Sequence, residues 1–267
     1  MKTTTSLPDT EQIRAHVRER YGAIAAGADT GGCGCTASGC CGGDAPDYGE
    51  KLGYAATDLA AAPAGSDLGL GCGNPLALAS IKPGETVLDL GSGAGFDCFL
   101  AARQLAGTGR VIGVDMTPAM IAKARAHAAK GGYPNVEFRL GEIEALPVAD
   151  ASVDLILSNC VVNLSPEKDR VFREAFRVLK PGGRLAIADI VATRPLPDEI
   201  RGQLAAIGAC VGGAALVTDI EALLKAAGFA AVAVTLKESS RELIREWTDN
   251  PAAGDFVVSA LITAIKA

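Results

Sequence analysis

The sequence predicts an α/β fold with a mostly parallel sheet and helices on both of its faces. Three observations carry this prediction: apolar runs alternate with helical segments from residue 83 onward, a glycine-rich loop follows the first run, and an acidic residue ends the second. Strands that alternate with helices pair in parallel, because each crossover helix returns the chain to the same end of the sheet.

The predicted elements follow one another in a regular order. Strands are predicted at Thr86 to Leu90, Arg110 to Val114, Val136 to Leu140, Val153 to Ser158, Arg184 to Asp189, Ala231 to Leu236 and Phe256 to Ile265. Helices are predicted at Asp97 to Leu105, Pro118 to Lys130, Pro166 to Leu179, Asp198 to Ala209 and Asp219 to Ala227. Short apolar runs favour buried strands, whereas apolar residues spaced three to four apart favour helices.

The first residues of the chain predict a separate helix and a loop. Asp9 and Gln12 have capping-box spacing, and apolar residues follow at helical intervals until Gly27. The stretch from Gly31 to Gly43 is rich in glycine and therefore predicts a loop. We divide the chain into an N-terminal helix with a cysteine-rich segment (1–82), a core (83–195) and a C-terminal portion (196–267) that contributes Cys210 and the final strands.

Composition excludes several classes of function. Lys and Arg total 25 against 31 Asp and Glu, a net charge of −6, which disfavours a nucleic-acid partner. No apolar run approaches the length of a membrane span, and no export signal is apparent, so we expect a cytoplasmic protein. Eight cysteines in such a chain indicate reduced thiols with a metal-binding or catalytic use.

The segment Asp89-Leu90-Gly91-Ser92-Gly93-Ala94-Gly95 predicts a ligand-binding turn. Its glycines let the backbone turn sharply and approach a ligand at the start of a helix. Asp115 ends the next strand 20 residues after Gly95, where a carboxylate can accept hydrogen bonds from both ribose hydroxyls of an adenosine. Asp89 would repel a pyrophosphate, whereas a cationic sulfonium ligand with an amino group suits its charge.

These residues resemble the class I S-adenosylmethionine methyltransferases, which share a Rossmann-like, seven-stranded sheet with a reversed final strand. The resemblance implies S-adenosylmethionine as the methyl donor and makes Phe256 to Ile265 a candidate for the reversed edge strand. It also implies a set of cofactor contacts: Asp89, Gly91, Ser92, Gly93 and Gly95 around the methionyl and sulfonium portion, Asp115 at the ribose, Met116 against the adenine, and Glu142 and Ile143 in the segment that closes on the adenine. We expect Asn159, at the end of the fourth strand, to line the same crevice.

Three cysteines occupy unusual positions for core residues. Cys160 follows the fourth strand at the sheet edge where α/β proteins bind ligands, although a free cysteine is more often a small buried apolar residue. Cys72 and Cys210 are flanked by glycines, which we interpret as flexible surroundings. Cys98 in the first helix of the core fits a packing role. The N-terminal cysteines, Cys33, Cys35, Cys40 and Cys41, lack the Cys-x-x-Cys pairs of a structural zinc site.

Most of the chain, from Tyr48 to Ile265, more closely resembles the arsenite S-adenosylmethionine methyltransferases. The marks of this resemblance are Tyr48-Gly49-Glu50-Lys51-Leu52-Gly53-Tyr54, Gly71-Cys72-Gly73, Asp89 to Cys98, Gly113-Val114-Asp115-Met116-Thr117, Ser158-Asn159-Cys160-Val161-Val162-Asn163-Leu164, and Cys210 in its glycine-rich setting. The family uses three or four cysteines, which implies that Cys72, Cys160 and Cys210 are catalytic and bind trivalent arsenic. The fourth thiol is either Cys40 or Cys41, and the sequence leaves both open.

The implied reaction is methyl transfer from S-adenosylmethionine to thiolate-bound trivalent arsenic, a step of arsenic detoxification. Trivalent arsenic is soft, prefers thiolate ligands and keeps an exposed lone pair when three of them bind it, so that lone pair is the nucleophile. The implied substrate is arsenite or a thiol conjugate of it, and thioredoxin or glutathione is the implied reductant. We expect a monomer that needs no general base.

Two other functions compete with this interpretation. Glu142 to Pro147 and Arg177 to Gly183 also resemble methyltransferases that act on carbon or oxygen of small quinones or sterols. The cysteine set separates the two functions, and an aromatic content of only 4% disfavours the large apolar pocket with aromatic walls that such a substrate needs. The second competitor is a non-enzymatic thiolate protein that binds arsenic or zinc, for which the cofactor loop would have no use.

Overall fold

The computed structural model describes residues 8–27, 48–201, 203–245, 247 and 251–267. The four N-terminal cysteines at positions 33, 35, 40 and 41 therefore lie outside the described residues, as does the predicted loop that carries them. Within the described ranges, none of the helices combines the length and the apolar character that a membrane crossing requires.

The described elements form one sheet and a set of surrounding helices. The strands are β1 Thr86–Leu90, β2 Arg110–Asp115, β3 Val136–Leu140, β4 Val153–Asn159, β5 Leu179–Ala192, β6 Phe229–Lys237 and β7 Val257–Lys266. The α-helices are α1 Thr10–Ala26, α2 Tyr48–Leu52, α3 Ala56–Ala61, α4 Leu76–Ala79, α5 Phe96–Gln104, α6 Pro118–Gly131, α7 Lys168–Val178, α8 Asp198–Arg201, α9 Leu204–Gly208, α10 Val217–Ala226 and α11 Ser240–Arg245. Two short 3₁₀ helices span Val162–Leu164 and Pro251–Asp255.

The strand order of the sheet is β3-β2-β1-β4-β5-β7-β6. Neighbouring strands from β3 to β5 are parallel, and β7 is antiparallel to both β5 and β6. The predicted α/β class with a mostly parallel seven-stranded sheet is therefore confirmed.

The candidate position of the last strand at the sheet edge is wrong. The strand is reversed as expected, but β7 inserts between β5 and β6, and β6 forms the edge. Burial gives the physical reason, since most residues of β7 are buried whereas β6 is largely exposed. A nearly continuous apolar run such as Val257 to Ile265 is typical of an interior strand.

Side chains of the central strand pack on helices at both faces of the sheet. Val87 belongs to the same buried cluster as Phe99 of α5, whereas Leu88 belongs to the cluster of Phe172 of α7. Successive residues of a strand point to opposite faces, so one strand contributes to both layers of the core.

Helix α1 packs against α6 and α9 and lies over the carboxyl edge of the sheet. The Asp9 carboxylate accepts the Gln12 backbone N–H at 2.8 Å, and the Gln12 side chain accepts the Asp9 N–H at 3.0 Å, which confirms the capping box. Gly27 ends the helix in the left-handed conformation with φ of 69°.

Candidate active site

The glycine loop between β1 and α5 brings the backbone close to the next strand ends. Gly91, Gly93 and Gly95 all have positive φ, between 51° and 99°. A Cβ atom on Gly91 would lie 2.4 Å from Cγ2 of Val161, so a side chain at this position would clash. Both the left-handed backbone and the close approach therefore require glycine here.

A cleft of about 1020 Å³, open mouth included, lies beside this loop at the carboxyl ends of β1, β2 and β4. Most of the residues predicted to bind a cofactor line it: Asp89, Gly91, Ser92, Gly93, Asp115, Met116, Ile143 and Asn159. Gly95 lies at the helix start and does not line the cleft. Helix α1 contributes Arg14, Val17 and Tyr21 to the opposite wall.

Asp115 is held in a fixed orientation at the end of β2. Its carboxylate accepts the backbone N–H of Gly93 at 2.9 Å and that of Thr117 at 2.8 Å. Burial raises the pKa of Asp115, and the two backbone N–H groups oppose that shift. The carboxylate is thus positioned by the glycine loop itself, with acceptor capacity left for a ligand.

Glu142 and Ile143 were both predicted to contact the cofactor, but the structure places them differently. Its carboxylate forms ion pairs with Arg18 at 3.2 Å and Arg14 at 3.7 Å, both on α1, and the residue does not line the cleft. Ile143, the next residue, does line it. Glu142 therefore ties the N-terminal helix to the segment after β3.

Asp97 is a cleft residue that sequence reasoning did not select. Its carboxylate accepts the Tyr54 hydroxyl at 2.6 Å and the Asn159 amide at 3.2 Å. Burial raises its pKa to about 6. An acidic residue in the first turn of a helix is ordinarily explained by the helix dipole, so the sequence offers no sign that this carboxylate faces inward.

The charge of the cleft fits a cationic ligand. Asp89 is only 2% exposed, and its carboxylate accepts the Cys98 thiol at 3.2 Å. Burial, followed by the charge of Asp97, raises the pKa of Asp89. Arg14 reaches the cleft but is engaged by carboxylates of the opposite rim. The buried Ser92 hydroxyl has no hydrogen-bond partner in the part of the chain that the structure describes.

The three cysteines at positions 72, 160 and 210 meet in one buried cluster beside this cleft. Cys210 Sγ lies 3.3 Å from the Cys160 carbonyl oxygen, and Cys72 Sγ lies 3.6 Å from the Ala188 carbonyl oxygen. The Cys160 thiol interacts with both of the other thiols. Cys160 also lines the cofactor cleft, so this residue belongs to both the cysteine cluster and the cleft.

Two of these cysteines have an unusual backbone conformation. Cys160 has φ of 58° and Cys210 has φ of 61°, a region that non-glycine residues seldom adopt. Such strain persists only where the surrounding structure imposes it, and it concentrates at functional sites. No sequence pattern predicts this conformation.

The glycines beside Cys72 and Cys210 permit close packing, which differs from the flexible surroundings that we inferred. A Cβ on Gly71 would lie 2.8 Å from the Asn159 amide nitrogen, and one on Gly213 would lie 2.2 Å from the Asn163 carbonyl oxygen. Three distant chain segments can therefore approach closely enough to bring their thiols together.

Burial, together with the interaction of Cys210 with Cys160, raises the pKa of all three thiols and favours their protonated form. It raises the pKa of Cys72 to about 12 and is also the largest cause of the raised pKa of Cys160. The pKa of Cys210 is raised chiefly by its interaction with Cys160 and then by burial. A ligand that takes these sulfurs as thiolates must therefore displace their protons.

Asp189 is the second residue that sequence reasoning missed. One of its carboxylate oxygens and the sulfurs of Cys72 and Cys160 all lie within 4.8 Å of one another. Burial raises the pKa of Asp189 to about 6. The available signal was its place at the end of a predicted strand, on the same sheet edge as Asp89 and Asp115.

Comparisons with known proteins agree with this arrangement. A family of methyltransferase domains matches residues 81–228. The chain is 54% identical to an arsenite methyltransferase of Halobacterium salinarum, over 99% of this chain and 69% of that protein. The chain belongs to the arsenite methyltransferase family. The human arsenite methyltransferase is 40% identical over 54% of this chain, and the chain spans 40% of its length.

A solved structure extends the likeness to the fold. It is an arsenic (III) S-adenosylmethionine methyltransferase from Chlamydomonas reinhardtii, with a TM-score of 0.61 and 35% identity, covering 79% of this chain and 73% of that one. As a member of the arsenite methyltransferase family, the chain has a class I fold and S-adenosylmethionine as its cofactor. A quinone C-methyltransferase of Hydrogenovibrio crunogenus matches less well, with 34% identity over 45% of the chain.

Affinity for S-adenosylmethionine should fall as the pH drops through about 6. A cationic ligand binds ionised Asp97 better than neutral Asp97, whose pKa in the free protein is about 6. The affinity for S-adenosylmethionine should therefore be highest and constant well above this pH, where Asp97 is ionised. It should be about tenfold lower one pH unit below the pKa. Calorimetric titration at a series of pH values checks this, with Asp97→Asn as the control that flattens the step. Equal affinity of the wild-type protein at about pH 5 and pH 8 would contradict the charge argument.

Proposed function

We propose that this chain transfers methyl groups from S-adenosylmethionine to trivalent arsenic held by Cys72, Cys160 and Cys210. The observation that carries the proposal is that Cys72, Cys160 and Cys210 belong to one buried cluster, while Cys160 also lines the cofactor cleft. The proposed products are mono-, di- and trimethylated arsenicals, formed in arsenic detoxification.

The donor set suits trivalent arsenic. Soft ions favour sulfur ligands, and three thiolates bind arsenic as a pyramid with its lone pair exposed. Each As–S bond that forms replaces an As–O bond of arsenite, and the hydroxyl leaves as water with the thiol proton. Charge and electrons therefore balance without an oxidant, even though the free thiols are protonated.

The cofactor pocket would bind and orient the other reactant, the methyl donor. S-adenosylmethionine supplies an electrophilic methyl group on a cationic sulfonium. Asp89 and Asp97 would provide the negative charge on that side, while Asp115, oriented by the Gly93 N–H that it accepts, would hold the ribose. Proximity and orientation provide much of the acceleration, because an arsenic lone pair needs no general base.

Several accompanying assignments belong to the same proposal. Methyl transfer to the lone pair leaves arsenic formally pentavalent. Cys40 or Cys41 supplies a fourth thiol, which either binds arsenic or forms a disulfide with Cys72, and the two electrons released as that disulfide forms return the methylated arsenic to the trivalent state. Thioredoxin or glutathione restores that disulfide to thiols. The buried thiols must be reduced to bind arsenic, which favours a reducing compartment such as the cytoplasm. The chain works as a monomer in this proposal.

The test is an incubation of the full chain with arsenite, a reducing thiol and methyl-labelled S-adenosylmethionine. We expect labelled methylarsenicals on chromatographic separation, and none when arsenite is left out. If the cofactor binds and no label reaches arsenic, the substrate assignment is overturned.

A further inference from the structure

A second pocket opens onto the thiols from outside the cofactor cleft. Tyr21, Leu70, Gly71 and Cys160 line both pockets and form the wall between them. Cys210 lines only the second pocket. Cys160 is therefore reached from both pockets and Cys210 from the second alone, so a route to these two cysteines stays available when the cofactor cleft is filled.

Trp247 lines this second pocket with a polar group that lacks a partner. The side chain is 4% exposed and belongs to the same buried cluster as the three cysteines. Its indole Nε1 is buried and has no hydrogen-bond partner among the described residues. An indole N–H can only donate, and a buried donor without an acceptor is costly. As far as the structure describes the chain, the pocket thus presents an unsatisfied donor in the same lining as Cys210.

The arsenical substrate carries the kind of hydrogen-bond acceptor that the indole N–H lacks. Arsenite carries three hydroxyl groups, and singly and doubly methylated trivalent arsenicals carry two and one. Each offers an oxygen that can accept a hydrogen bond while the arsenic faces the sulfurs. The rings of Tyr21 and Tyr48 supply apolar wall for methyl groups on a partly methylated substrate.

We propose that the second pocket is the entry route for trivalent arsenicals and that Trp247 positions them by donating its Nε1–H to an arsenic-bound hydroxyl. This inference rests on the proposed function and adds the path and the positioning residue. The incoming hydroxyl accepts the N–H, a thiol attacks arsenic, and the As–O bond breaks as water leaves with the thiol proton.

The chain offers a direct reporter, because Trp247 is its only tryptophan. Arsenite titration should change the tryptophan emission of the wild-type protein, also when S-adenosylhomocysteine already saturates the cofactor cleft. The Cys210→Ser variant should lose that response. If equilibrium dialysis shows arsenite bound to the wild-type protein while emission stays constant, the entry route is wrong.

Kinetics separate positioning from a structural role. Trp247→Phe keeps a large ring but removes the donor, so the KM for arsenite should rise about three- to tenfold while kcat and the KM for the cofactor stay within about twofold. An unchanged KM for arsenite overturns the role of Trp247 and leaves the proposed function standing. Failure of the wild-type protein to methylate arsenite overturns the proposed function itself. If Trp247→Phe fails to bind S-adenosylhomocysteine, its fold is not intact and its kinetics are not used. The emission titration of the wild-type protein then tests the entry route.

Discussion

Replacing Cys210 with serine should lower arsenite methylation at least about 100-fold while leaving S-adenosylhomocysteine affinity near the wild-type value. A hydroxyl is a hard ligand that soft arsenic disfavours, so only two sulfurs would remain to hold the pyramid. A 100-fold loss corresponds to about 2.7 kcal/mol of transition-state stabilisation. Cys210 does not line the cofactor cleft, which is why the cofactor should still bind.

Cys160→Ser should produce the same loss of turnover. The Cys160 sulfur lies within 4.8 Å of the Cys72 sulfur, and the Cys210 thiol interacts with Cys160, so no pair of the remaining cysteines replaces it as the central ligand. Initial rates of labelled methylarsenical formation measure the effect, and calorimetry with S-adenosylhomocysteine shows whether the fold is intact. Full activity in either serine variant would remove that cysteine from the arsenic site.

Replacing Asp115 with alanine should weaken cofactor binding about 100-fold. We assign this carboxylate to the ribose hydroxyls, and two hydrogen bonds to a charged acceptor together contribute about 3 kcal/mol. The variant also loses the acceptor of the Gly93 N–H, which orients the glycine loop. Calorimetric titration with S-adenosylmethionine checks the affinity.

A matched control exists in Asp219→Asn, which removes a carboxylate at an exposed position that does not line the cleft. Its cofactor affinity should equal that of the wild-type protein. If Asp115→Ala binds the cofactor as tightly as this control does, the ribose assignment fails. Weak binding by both variants would instead point to a general effect of net charge.

Local sequence signals predicted the central sheet well. The bounds of β1 and β3 agree with the predicted strands, because each is a short apolar run between turn residues. The cofactor loop was predictable because its glycines and the acid ending β2 are close in sequence. The position of β7 within the sheet could not be predicted in this way. Strand order depends on pairing between distant segments, about which local residue patterns carry little information.

The arsenic site depends on long-range packing that spacing does not reveal. Cys72, Cys160 and Cys210 are far apart in the chain, and only the resemblance to a known family grouped them. The role of their neighbouring glycines, the left-handed φ of two cysteines and the inward direction of Asp97 became visible only in the folded chain. Trp247 likewise carries no local motif, and its significance lies in an indole N–H that has no hydrogen-bond partner among the described residues.

The most direct test of methyl transfer to thiol-bound arsenic is a single-turnover experiment. The protein is loaded with arsenite, separated from unbound arsenite, and mixed with methyl-labelled S-adenosylmethionine in less than stoichiometric amount. We predict that the label appears on protein-bound arsenic in the first turnover and that Cys210→Ser shows none. Label that stays on the cofactor, or that reaches only a protein side chain or the added thiol, would contradict the account.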